Sequence, residues 1–179
     1  MKNNKKVLLT GAALAALSPL AMNDAKAADT QAISMQAVIV QAIALSQAQT
    51  LHFGTFSITT AGTIAIDTAG ADTGGGYADV GGAANRQEGI VNVKAAAGFA
   101  IDLTIGGADS VTGPGPAMVV NAFNIETAAG GSAQTVTLTA GQVAGGLSVP
   151  IGATLNFAAA GVQTPGTYTG SFDITATYQ

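Results

Sequence analysis

The sequence has no cysteine and no tryptophan, a single histidine, and only two basic residues outside its first 27 positions. Without cysteine there can be no disulfide and no thiolate metal centre. The lone His52 excludes a histidine pair at metal spacing. Within "LHFG" it points away from Leu51 and Phe53, as on the outer face of a strand. No G-x-S-x-G nucleophile motif occurs. The glycines of "GGGYADVGG" miss the dinucleotide fingerprint because Asp79 stands at the third glycine's place, and no Walker lysine follows. Asp67 and Asp72 flank a turn where a weak calcium site is the functional alternative. They lack EF-hand spacing, and carboxylates that bond their own turn are the ordinary alternative. There is no N-x-[ST] acceptor. The chain is therefore expected not to be an enzyme, with no cofactor and no metal.

Charge is scarce as well. Only 9% of residues are charged, against about 25–35% for the surface of a soluble monomer. Past Ala27 the chain carries Arg86 and Lys94 against nine carboxylates, a net charge of 2 − 9 = −7. Such a surface is a poor partner for nucleic acid or anionic membrane. A protein with so few charges either exposes a bland Thr/Ala/Gly surface or covers much of it with copies of itself.

Long apolar runs are absent except at the start. There "MKNNKK" is a basic n-region, "VLLTGAALAALSPLAM" an apolar core, and Ala25 to Ala27 an A-x-A cleavage site. This pattern predicts a Sec signal peptide over residues 1–27, cut between Ala27 and Ala28. The run is shorter than the about 20 residues a membrane anchor needs and contains Pro19. Secretion to the cell surface or beyond is expected, with no membrane insertion of the mature chain. The remaining 152 residues suit one domain that buries about 70% of its unfolded surface.

What is present is alternation. Short apolar-alternating runs recur at about ten-residue spacing with Gly and Pro between them, which predicts an antiparallel β-sandwich or barrel over residues 41–179. "TLHFGTFSIT" places Leu51, Phe53 and Thr55 on one face. "GIVNVKAAAGFAIDLTIGG" predicts two strands about Gly98. "AMVVNAFNIET" places Met118, Val120, Ala122 and Asn124 on one face, and "AQTVTLTAG" alternates at Val136 and Leu138. "GLSVPIGATLNFAAAG" predicts two strands broken at Pro150-Ile151-Gly152. Residues 68–87, with six glycines, predict one long mobile loop.

The two ends of the mature chain are the most regular. "AISMQAVIVQAIAL" alternates on Ile33, Met35, Ala37, Ile39, Gln41, Ile43 and Leu45, with only Gln41 breaking the apolar face. Its β-branched residues favour an extended conformation, while its Ala, Gln, Met and Leu leave a helix open. "PGTYTGSFDITATYQ" alternates on Tyr168, Gly170, Phe172, Ile174, Ala176 and Tyr178 up to its penultimate residue.

That ending resembles the C-terminal signature of chaperone–usher fimbrial subunits. These have an alternating apolar last strand, a penultimate aromatic (here Tyr178) and a glycine fourteen from the end (here Gly166). "TLHFGTF" together with "GTYTGSFDITATY" is also similar to a secreted bacterial family of unknown function. That family carries L-x-F-G and G-x-Y-x-G-x-F motifs and is related to fimbrial and spore-coat-U domains. Many fimbrial subunits have a disulfide near their first strands, and this chain has none.

The resemblance implies an immunoglobulin-like, pilin-like sandwich that lacks one strand and is completed by a neighbour's N-terminal extension. Residues 28–40 would be the donor, offering Ile33, Met35, Ala37 and Ile39, and about Gln41 to Gln47 would begin the domain's first strand. Tyr168, Gly170, Phe172, Ile174, Ala176 and Tyr178 would line the acceptor groove. Head-to-tail donation does not close, so identical subunits would form a filament, a pilus or fimbria. The resemblance also implies a periplasmic chaperone and an outer-membrane usher as partners. Two other expectations stay open. One is a monomeric secreted carbohydrate-binding or adhesin module, and the other a coat or biofilm-matrix protein that assembles without a chaperone.

Overall fold

The computed structural model describes residues 30–80, 85–125 and 131–179. The expected signal peptide, with Ala27 and Ala28, lies outside the described residues. The chain divides into two units, one ending at Ala37 and a compact one from Val38 to Gln179. No helix among the described residues is long and apolar enough to cross a membrane.

The compact unit is an antiparallel β-sandwich. One sheet contains β1 (Ala44–Gln49), β3 (Phe56–Ile66), β4 (Asp72–Asp79), β6 (Gly89–Lys94), β8 (Asp109–Val111), β9 (Met118–Ile125) and β11 (Leu147–Phe157). Its main path runs β1-β6-β11-β3-β4, with β9 also paired to β11 and β8 to β9. The second sheet runs β10-β7-β12, from β7 (Ala100–Ile105), β10 (Ala133–Thr137) and β12 (Ile174–Tyr178). A small ladder joins β2 (His52–Phe53) to β5 (Arg86–Gln87), and one helical turn, α1 (Gln142–Gly145), precedes β11. Both sheets face one core. Ile64, Val93 and Ile151 come from the first sheet, Ile101 and Leu103 from the second, and all five are fully buried. The strands about Gly98 form as expected, but β6 and β7 belong to different sheets, so the turn is a corner between layers.

Several local expectations give way to partner geometry. The apolar face of β9 is Met118, Val120, Phe123 and Ile125, without Ala122 and Asn124. Ala122 has φ +49, and the β9–β11 register slips between Gly152 and Thr154. Such a bulge turns alternation over to the other face. The face of "LHFGTF" changes in the same way at Gly54, φ +84. Thr55 is exposed, while Leu51, Phe53, Phe56 and Ile58 turn toward the core. The expected break at Pro150 to Gly152 is also absent. β11 runs through it, pairing with β6 up to Ile151 and with β3 from Ala153, so the irregular residues fall where the ladder changes partner.

The glycine-rich stretch 68–87 is the largest correction. Most of its described residues form β4 and β5 rather than a loop. The β3–β4 register shifts between Ile58 and Thr63, which brings the two backbones into close approach. A Cβ on Gly74 would collide with the Thr63 carbonyl, and one on Gly62 with the Gly75 carbonyl. The glycines serve that approach and not mobility. At the start of the hairpin, Asp67 Oδ1 accepts from the N–H groups of Ala69 and Ala71, each at 2.8 Å, which is the carboxylate-capped turn.

Candidate functional site

The last strand is shorter than its sequence. β12 pairs with β7 only from Ile174 to Tyr178, because β7 ends at Ile105, opposite Ile174. Upstream, Tyr168, Gly170 and Phe172 have no β7 partner and lie outside any named strand. The chain there makes one bridge, Thr169 to Thr112, through a reciprocal pair of backbone bonds at 2.8 and 2.9 Å. The side-chain alternation persists without the ladder. Tyr168, Phe172, Ile174, Ala176 and Tyr178 are all half-buried against the core, and the Phe172 ring lies 4.8 Å from that of Phe123 on β9.

Tyr178 closes one end of this arrangement. Its hydroxyl donates to the Gln41 carbonyl at 2.6 Å and accepts from the Ala96 N–H at 2.8 Å. This ties the C-terminal strand to the approach of β1. Beyond that tie the two elements part. β1 pairs with β6 and β12 with β7, and among the described residues neither has a strand on its other side.

Between β1 and the segment that leads into β12 lies a groove of about 1030 Å³, at the top of the range for small-molecule clefts. Its walls are β1 with the Leu51–Ile58 segment on one side and Tyr168–Ile174 on the other. Its floor includes Val91, Met118, Val120, Phe123, Ile151 and Leu155. The floor residues are at most 9% exposed, so the groove is narrow and shows only their edges. The wetted apolar area belongs to half-buried walls such as Leu45, Leu51, Phe172 and Ile174. Ala176 and Tyr178 do not line it, nor do the carboxylates apart from Asp109. The arrangement offers one unpaired strand edge, that of β1, and a half-buried apolar segment across a trench, a shape for an extended chain.

The expected donor residues are exposed: Ile33 by 81%, Met35 by 94%, Ile39 by 96%, and Ala37 likewise. Residues 30–43 form neither strand nor helix, and β1 begins at Ala44, three residues later than the sequence predicts. An extended segment without a neighbouring edge has no ladder to join.

A second cluster was not anticipated from the sequence. The Arg86 side chain is 2% exposed. Its guanidinium pairs with Asp72 at 2.6 Å and with Asp79, and its Nε donates to the Phe53 carbonyl at 3.1 Å. It also stacks 4.8 Å above the Tyr77 ring. Burial disfavours the Arg86 charge, but the bond to Asp79 and the attraction of Asp72 outweigh it and hold the proton more firmly than usual. Burial raises the Tyr77 hydroxyl above its ordinary value, opposed by Arg86 and reinforced by Asp72. The one signal for this cluster was an arginine close to two aspartates in a chain poor in charge. With Asp72 engaged by Arg86, the pair Asp67 and Asp72 is divided between a turn and an ion pair. His52 is exposed, and its Nδ1 accepts from the Gly54 N–H at 2.9 Å.

The groove floor was likewise missed, because its residues are ordinary core positions and no local pattern marks a core residue that lacks a cover. Against known proteins, the family model described as a domain of unknown function (DUF4402) matches residues 43–178. No curated protein and no solved structure matches the chain.

Proposed function

The chain belongs to the DUF4402 family, and on that premise we propose that it is a secreted structural subunit. It polymerises head to tail by lending its N-terminal segment to a neighbour's groove, as in a surface pilus or fimbria. One observation carries this: the apolar groove between the unpaired edge of β1 and the Tyr168–Ile174 segment, in a chain whose residues 30–40 expose Ile33, Met35 and Ile39. An incoming strand would gain main-chain bonds along β1 and bury alternate side chains between the walls. Each Ile or Met so buried contributes about 1.5–3 kcal/mol. The sandwich would then be complete only in the polymer. A periplasmic chaperone pairing with Tyr168–Tyr178 would cover the groove before assembly, and an outer-membrane usher would exchange it for the next subunit.

The test compares the full chain, expressed for export, with one lacking residues 28–40. Detergent-resistant, heat-labile ladders are expected from the first and not from the second. A full chain that stays monomeric at high concentration, unchanged by the truncation, contradicts strand donation and favours a monomeric binding module. Ladders that form in a host without chaperone and usher assign the protein to self-assembling coats.

A further inference from the structure

Past Ala27 the chain has two methionines, Met35 and Met118, and neither cysteine nor tryptophan. Their thioethers are then the side-chain groups most open to two-electron oxidation. The fold treats the two in opposite ways, and both bear on the groove. Met35 is 94% exposed, on the apolar face of the N-terminal segment between Ile33 and Ala37. Met118, the first residue of β9, is 6% exposed and belongs to the groove floor. An oxidant in solution reaches the first sulfur and not the second.

What oxidation does follows from where Met35 has to go. A thioether is apolar and adaptable, and its rotatable bonds let it fill an irregular trench. A sulfoxide is polar and chiral. Its oxygen is an acceptor, and the floor residues Val91, Met118, Val120, Phe123, Ile151 and Leu155 carry no side-chain donor for it. Burying a polar group without a partner is costly. We propose that Met35 is a reversible oxidation site that gates assembly, with a peroxide as the oxidant. The sulfur lone pair takes one peroxide oxygen, the O–O bond breaks, an S–O bond forms, and the other oxygen leaves as water. The sulfur is oxidised by two electrons and the peroxide reduced by two. A methionine sulfoxide reductase reverses the step with a dithiol, which becomes a disulfide as the oxygen leaves as water. The gate acts in one direction. A segment already seated in a neighbour's groove has its sulfur covered, so peroxide stops new subunits from joining without dissolving the filament already built.

This inference rests on strand donation, and its test separates the two failures. The exported full chain is treated with dilute hydrogen peroxide, digested, and its peptides weighed. Met35 is expected to gain one oxygen well before Met118, and Met35 in preformed ladders to be protected. A labelled peptide of residues 30–42 is then titrated into the untreated chain and followed by fluorescence anisotropy. It is used as the thioether, as the sulfoxide, with Met35→Leu before and after peroxide, and with Ile39→Asp. The sulfoxide is expected to bind about ten- to hundredfold more weakly and to recover after treatment with methionine sulfoxide reductases. The Met35→Leu peptide should bind like the parent whether or not it has met peroxide. If the sulfoxide binds like the parent while Ile39→Asp does not bind, donation stands and the Met35 gate is wrong. Equal oxidation of Met35 and Met118, or of Met35 in monomer and ladder, overturns the gate as well. If the parent thioether peptide does not bind, both fall. Every arm uses the unaltered chain, so no misfolded variant shelters the proposal.

Discussion

The two edges of this sandwich are opposites. At the β3–β4 edge, where β4 is the outermost strand, the side chains find their partners within the chain. Glycines let the backbones close in, Arg86 gathers Asp72, Asp79, Tyr77 and the Phe53 carbonyl, and Phe56, Tyr77 and Phe157 pack ring against ring, with centroids 5.4–6.3 Å apart. Between the edge strand β1 and the Tyr168–Ile174 segment that leads into β12 the chain leaves a trench. The first edge is written in a glycine-rich, disorderly sequence and the second in the cleanest alternation of the protein. Regular alternation records which face of a strand meets apolar surface. It does not record whether this chain provides the strand alongside.

The largest expected effect breaks the open edge. Ile39→Asp puts a carboxylate on the apolar face of a segment that is exposed in the chain itself. Ladders should vanish on gels while the monomer melts unchanged; equal ladders would remove Ile39 from the interface.

The closed edge should break next. Arg86→Met leaves Asp72 and Asp79 facing each other without their cation. The carboxylates left behind are 24% and 36% exposed, so losing the charged hydrogen bonds costs about 1.5–3 kcal/mol, and in a domain of this size each kcal/mol is worth about 2–4 °C. A melting point within a degree of the parent would show that the cluster is ornamental. The same substitution removes the donor to the Phe53 carbonyl, so peptide binding by the variant reports whether the closed edge props the groove wall.

The glycines of β4 come third. Gly74 has φ +141 and abuts the Thr63 carbonyl, so Gly74→Ala should cost about 1–3 kcal/mol from backbone strain. A neutral result in denaturant melts would restore the mobile-loop interpretation of that stretch.

The smallest effect is at Tyr77. Burial raises its hydroxyl above the ordinary value of 10.0, so above about pH 10 the unfolded chain loses this proton first. Its contribution is fully present below pH 10 and is lost as pH rises through the raised folded value. Tyr77→Phe should flatten that alkaline decline and, by removing the bond to Asp72, cost about 0.5–1.5 kcal/mol at neutral pH. An unchanged alkaline slope would remove Tyr77 as its source.

The same contrast explains what could be read from the sequence. All-β architecture and inward positions such as Val93, Leu103, Val136 and Leu138 follow from period-two alternation, which is a local property. The faces at Ala122 and Gly54 could not be read, because one backbone dihedral inverts the pattern and its cause is a bulge opposite another strand. The length of β12 could not be read either, since it is set by where β7 ends. At the groove, the Tyr168–Ile174 wall was legible from its own alternation. The floor was not, because Val120 or Leu155 looks like any other core residue until the missing cover is seen.

The absence of cysteine allows the most direct measurement of whether the trench is filled by another copy. One population of the exported chain carries Ala37→Cys, on the donor face. A second carries a single cysteine on β1 at Ser46, Gln47 or Ala48, bracketing the unknown register within disulfide reach. Mixed under oxidising conditions, the two populations should form a reducible heterodimer that peaks at one β1 position, and more slowly when residues 30–42 are added as free peptide. No heterodimer at any of the three positions, or one that forms equally at all three and ignores the peptide, would contradict strand donation between copies.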